Sequence, residues 1–143
     1  MSLIKFFSTN GHPERVDFKG ALLAGQAPDK GLYMPEKFPS LSPEAIRDFP
    51  KMSYHQIAYQ VIKPYLGDLV GESALQDMLN DAYSYEVPLE RVYDGKYLLR
   101  LDRGPTCSFK DFAARLMGRL IQYFLKEEGR SMIILTANSG DTG

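Results

Sequence analysis

The sequence is sparing in the features that would place it outside the ordinary globular class. One cysteine, Cys107, occurs in 143 residues, so no internal disulfide can form and a small secreted scaffold held by crosslinks is excluded. A reducing, cytoplasmic setting is expected. No apolar run approaches the roughly 18 residues that a spanning helix needs, and the N-terminus lacks the basic, apolar, small-residue order of a signal peptide. No membrane partner is expected. Charge of one sign is also missing: 17 basic against 18 acidic side chains leave −1, with the signs interleaved. Nucleic-acid binding, which draws on clustered Lys and Arg, is therefore not expected. The two histidines, His12 and His55, are too far apart and too isolated for a metal site of three or four ligands, so no metal is expected. Internal repeats, low-complexity tracts, a glycine-rich run ending in Lys-Ser or Lys-Thr, and a dinucleotide fingerprint are all absent. What remains is average globular composition, 44% hydrophobic and 24% charged, enough for one ordinary core and a small appendage.

Local patterns divide the chain into a helical first part and a mixed second part. Ile4 to Ser8 reads as a short extended stretch ended by the turn-forming Asn10-Gly11. Asp17 is placed to cap a helix from Phe18 to Ala24 that Gly25 stops. Leu32-Tyr33-Met34-Pro35 is too short and too proline-bounded for a central strand. Ser42-Pro43-Glu44 starts a helix expected to run through Phe49 and stop before Pro50. A longer amphipathic helix begins after Ser53, with Pro64 expected to loosen its last turn and Gly67 to end it. A third begins near Glu72, presents Leu75, Met78, Leu79 and Ala82 on one face, and runs towards Tyr85. Beyond Val87-Pro88, the segments Leu89–Tyr93 and Lys96–Leu101 flank Asp94-Gly95, a hairpin signal. A helix is predicted from about Phe109 to Glu128, with Phe112, Ala113, Leu116, Leu120 and Phe124 as its apolar stripe. Met132 to Leu135 then reads as a parallel strand buried on both faces. Strand, helix and strand in that order imply a βαβ unit of an open parallel sheet.

Two segments of that unit carry chemistry. In Gly104-Pro105-Thr106-Cys107-Ser108-Phe109-Lys110-Asp111-Phe112, Lys110 falls in the first predicted helical turn, where the positive end of the helix dipole opposes its ammonium form. Flanked by Phe109 and Phe112, it holds an amine suited to nucleophilic attack on a carbonyl. A solvated lysine whose charge Asp111 offsets is the plainer alternative. Cys107 has no histidine beside it and reads as a small loop residue. The second segment, Thr136 to Gly143, places small and hydroxyl residues after a strand. It is either an anion cradle at a helix N-terminus or an ordinary Ser/Thr-capped turn.

Taken together, these segments resemble the threonine synthase family of pyridoxal-phosphate enzymes, in the tryptophan-synthase-β-like group. The likeness rests on Ser8-Thr9-Asn10-Gly11, Gly31-Leu32-Tyr33-Met34-Pro35, the run from Gly104 to Arg115, and Leu135-Thr136-Ala137-Asn138-Ser139-Gly140-Asp141-Thr142-Gly143, in the family's order. The resemblance implies an α/β fold of type II: a helical N-terminal domain over residues 4–85, then the start of a parallel-sheet catalytic domain over 86–143, truncated after the cradle. It implies that Lys110 condenses with the aldehyde of pyridoxal 5′-phosphate, with Phe109 and Asp141 also at the cofactor. Ser139, Gly140, Asp141 and Thr142 would hold the carboxylate of the substrate, O-phosphohomoserine, and Gly31 to Pro35 would be structural. The family's later cofactor-phosphate loop lies beyond Gly143, so this polypeptide alone is expected neither to hold the cofactor tightly nor to turn over. Two other readings are a dehydratase of the same fold group acting on threonine or serine, against which the helical N-terminal part argues, and a non-catalytic folding or interaction module.

Overall fold

The computed structural model describes residues 3–136; the expected binding residues Ser139, Gly140, Asp141 and Thr142 lie outside the described residues. The chain divides into two compact units, Met1–Leu79 and Asn80–Gly143.

In the first unit, strand β1 (Phe6–Ser8) buries Phe6 and Ser8 while Phe7 lies between them half-buried, the period-two alternation of a strand with one inner face. It pairs antiparallel with β2 (Tyr33–Pro35), Phe7 opposite Met34. On its other side Phe6 exchanges both backbone bonds with Val16, at 2.8 and 3.1 Å. Proline-bounded β2 is thus the edge, where a missing N–H is tolerated. Helix α1 (Phe18–Ala24) starts because the Asp17 carboxylate accepts the Gly20 N–H at 2.8 Å, and it ends at Gly25, whose φ of 72° suits a residue without a Cβ. Its first ring, Phe18, meets Phe6 edge to face at 5.8 Å.

Helix α2 (Pro43–Asp48) is capped by Ser42, whose hydroxyl accepts the Ala45 N–H at 3.1 Å. It stops one residue short of the expected Phe49, and Phe49–Lys51 tightens into a single 3₁₀ turn. Pro50 cannot donate to an α-helical ladder, so the tighter turn takes over. Helix α3 (Tyr54–Leu66) opens with the Gln56 side chain accepting the Ser53 N–H at 2.9 Å. Pro64 does not unwind its end as expected. The last turn is held by Gly67 N–H on the Lys63 carbonyl at 3.0 Å and by Lys63 Nζ on the Gly67 carbonyl at 2.7 Å. Helix α4 (Glu72–Ala82) ends before the expected Tyr85. The centre of the first unit is Leu66, Val70, Leu75 and Leu79, all essentially without solvent contact.

The turn between α1 and β2 is built around one carboxylate. Asp29 accepts from the Ser8 hydroxyl at 2.7 Å, the His12 N–H at 2.7 Å and the Gly31 N–H at 3.0 Å, and its own carbonyl accepts from Asn10 Nδ2 at 3.0 Å. Gly31 is obligatory here: a Cβ would lie 2.0 Å from Ser8 Oγ and 2.8 Å from the Asn10 nitrogen. The Ser8-Thr9-Asn10-Gly11 and Gly31–Pro35 motifs therefore meet in space. The Ser8 hydroxyl, above all, holds the Asp29 carboxyl below the usual carboxylate range, with the backbone donors of Gly31 and His12 adding to it. A carboxyl lowered by folding contributes stability above the ordinary carboxylate range and loses it as pH falls through its folded value. The melting temperature should therefore drop as pH is lowered from about 4. Asp29→Asn should melt lower at pH 7 and lose less on acidification, as followed by circular dichroism.

In the second unit, β3 (Leu89–Tyr93) and β4 (Lys96–Leu99) form the expected hairpin. Tyr93 pairs with Lys96 across Asp94-Gly95, Gly95 has φ of 68°, and the register is irregular between Arg91 and Tyr93. Helix α5 (Asp111–Glu127) buries Leu116, Leu120, Phe124 and Leu125. Ala113, expected on that stripe, is exposed; the buried line advances by fours from residue 116 and leaves position 113 towards solvent. The parallel strand expected over Met132–Leu135 is not formed. Among the described residues both sheets are antiparallel pairs, and the run lies open to solvent, Ile133 at 87% and Leu135 at 90%. A parallel strand takes all its ladder bonds from neighbours, and no described strand lies beside this one.

Candidate functional site

Lys110 occupies the N-cap of α5 (φ −69°, ψ −16°), since the helix begins at Asp111, two residues later than the expected Phe109; its carbonyl accepts the first helical bonds, from Ala113 and Ala114 at 3.1 and 2.9 Å. The loop that delivers it is tightly specified. Cys107 N–H bonds the Gly104 carbonyl at 3.0 Å, Asp111 N–H bonds the Ser108 carbonyl at 3.1 Å, and the Lys110 N–H reaches Ser108 Oγ at 3.3 Å. Cys107 is exposed and sits at φ 57°, unusual for a residue with a Cβ. Phe109, 63% exposed, lies with its ring centroid 5.9 Å from Lys110 Nζ, within range of a cation–π contact. Phe112, the other aromatic expected to flank the lysine, packs edge to face on Tyr85 at 5.3 Å and against Tyr83 at 6.3 Å.

Beside the loop an open groove of about 360 Å³ is lined by Leu98 to Asp102, Cys107 and Phe109. In that lining Arg100 is bidentate to Asp102, at 2.8 Å through Nε and through one Nη, and its other Nη bonds Glu90 at 2.9 Å. The Arg100 guanidinium holds the Asp102 carboxyl down to about 2. Elsewhere, the His12 ring lies 3.7 Å from Glu14 and the His55 ring 2.9 Å from the Ser53 hydroxyl. Among the described residues no cluster of His, Cys, Asp and Glu has the makings of a metal site, and no helix is long and apolar enough to cross a membrane.

The structure thus gathers Lys110 and Phe109 at one helix entrance. Two carboxylates have roles that the sequence did not indicate: Asp29 was legible only as turn chemistry, and Asp111 only as an offset to the Lys110 charge. Asp29 gathers the first unit's two motifs. Asp111 is 5% exposed and accepts both the Thr106 N–H and the Thr106 hydroxyl at 2.9 Å. The glycines opposite them, Gly31 and Gly104, are signals that could have found those roles.

Solved structures share the fold. A pyridoxal-phosphate-bound threonine synthase from Brucella melitensis superposes with a TM-score of 0.84 at 34% identity, covering 88% of this chain and 28% of that one. Threonine synthase from Escherichia coli gives 0.78 at 26% identity, over 83% and 28%. The chain therefore has the mixed helix-and-strand fold of threonine synthases. Among curated proteins, threonine synthase of Pseudomonas aeruginosa is 34% identical over 98% of this chain and 31% of its own length, and mouse threonine synthase-like 2 is 35% identical over 96% and 30%. The family described as threonine synthase N terminus matches residues 5–83, and the chain belongs to it. It spans about a third of the length of the curated relatives it matches.

Proposed function

We propose that this chain forms the N-terminal part of a threonine synthase, a pyridoxal-phosphate-dependent lyase that converts O-phospho-L-homoserine and water to L-threonine and phosphate. The observation that carries the reading is Lys110 at the entrance of α5, presented by the braced Gly104–Lys110 loop in a chain of this family. The described residues fit the cofactor in the character of their donors: a primary amine beside an exposed aromatic ring, at the end of a helix where peptide dipoles favour an anion. When bound, pyridoxal phosphate supplies the electron sink for carbanion chemistry. Lys110 Nζ would be the group that holds the cofactor at its aldehyde carbon, and as a free amine it would carry protons at substrate carbons. By the family resemblance Ser139, Gly140, Asp141 and Thr142 would hold the substrate carboxylate, with Asp141 also at the cofactor, which would turn the α-proton towards that amine. In domain terms, residues 4–85 form the helical N-terminal domain and 86–143 begin the catalytic domain. These 143 residues alone, about a third of the relatives' length, are not expected to sustain turnover.

Phosphate release and keto-acid release from phosphohomoserine, serine and threonine separate the candidate activities in the polypeptide at its relatives' length. Phosphate and threonine formed in equal amounts are expected. Keto acid as the main product would transfer the chain to the dehydratase class.

A further inference from the structure

We propose that Asp111 is a positioning residue for the Lys110 amine and acts through Thr106, a role that rests on the reading of Lys110 as the reacting lysine. Asp111 follows that lysine directly, yet its carboxylate is folded back under the loop, where Thr106 N–H bonds one oxygen and the Thr106 hydroxyl bonds the other. The pair closes the span from Thr106 to Asp111 into a ring. A carboxylate this buried is costly unless its oxygens are hydrogen-bonded, so the two bonds to Thr106 fix where the loop can go. Gly104 closes the cage from the far side: a Cβ there would lie 2.3 Å from Asp111 Oδ2 and 2.7 Å from Asp111 Cβ. Cys107, at φ 57°, keeps a costly backbone conformation because the surrounding bonds over-determine it.

A second brace holds the helix just beyond. The Tyr83 hydroxyl donates to the Phe112 carbonyl at 3.0 Å, and Arg115 Nε donates to the Ala82 carbonyl at 2.8 Å. Lys110 sits between the two, on a backbone bonded on both sides. Only the first brace lies on the side of the reactive loop, and only that one is made by side chains of the loop itself. The Asp111–Thr106 pair therefore sets where Nζ begins its reach, while the Tyr83 and Arg115 contacts anchor the helix as a body.

The test uses the polypeptide at its relatives' length with added pyridoxal phosphate, and compares Thr106→Val with Thr106→Ser, both at an exposed position. Three quantities are read. The first is the alkylation rate of Cys107, followed on its own peptide. The second is cofactor capture at Lys110: Nζ adds to the aldehyde carbon, water leaves, and borohydride delivers hydride to that carbon and fixes the C–N bond for mass analysis. The third is kcat against KM. Thr106→Val should raise Cys107 alkylation, slow Lys110 capture and lower kcat by about tenfold each, the scale of a modest misplacement of a reacting group, with little change in KM. Thr106→Ser, which keeps both donors, should restore all three. Unchanged Cys107 alkylation, or faster alkylation with undiminished capture at Lys110, overturns the positioning role and leaves the reading of Lys110 standing. Capture on a different lysine in the unsubstituted protein overturns both.

Discussion

Exchanging Lys110 for arginine in the polypeptide at its relatives' length should lower threonine formation by on the order of 10³-fold, within the range that a positioned proton-transfer group contributes. Arginine keeps the positive charge beside the Phe109 ring, 5.9 Å from its centroid, so packing and local electrostatics change little. The chemistry is what disappears. A guanidinium stays protonated at any working pH and offers no free amine, either for condensation or for carrying a proton between carbons. Steady-state phosphate release checks this, with the melting temperature as the control for folding. Activity within tenfold of the unsubstituted protein would remove Lys110 from the reaction and the functional assignment with it.

The largest structural loss is expected at Phe124. Its side chain is fully buried on α5, and truncation to alanine removes a whole ring and leaves a cavity, a combination that typically costs about 3–5 kcal/mol. Met117, on the same helix but 47% exposed, should lose less than about 1 kcal/mol on the same change. Urea unfolding with a common slope compares the two. A Phe124→Ala loss no greater than that of Met117→Ala would mean that the stripe through Leu116, Leu120 and Phe124 does not hold the second unit together.

Elements whose signals are local were legible in the sequence. Asp17 and Gly25 bracket α1 at the expected residues, and Asp94-Gly95 closes the expected hairpin, because caps and tight turns are decided by a few neighbouring atoms. Long-range decisions were not. Met132 to Leu135 has the composition of a buried strand, but a strand is defined by its partners, and composition does not supply them. Ala113 fits a helical period yet faces solvent, since a period marks a stripe without fixing its edges. In the candidate site, the place of Lys110 beside a helix start was legible. The carboxylates that organise the two loops were not: Asp29 meets Ser8 across 21 residues, and Asp111 turns away from its neighbours in sequence to reach Thr106.

The Asp29 turn also bears on how the chain is made. Its partners Ser8, Asn10 and His12 lie 21, 19 and 17 residues before it, so every group it holds has left the ribosome by the time Gly31 emerges. Such short separations cost little loop entropy and favour early closure. This turn is thus suited to close while synthesis continues, well before the reactive loop has emerged.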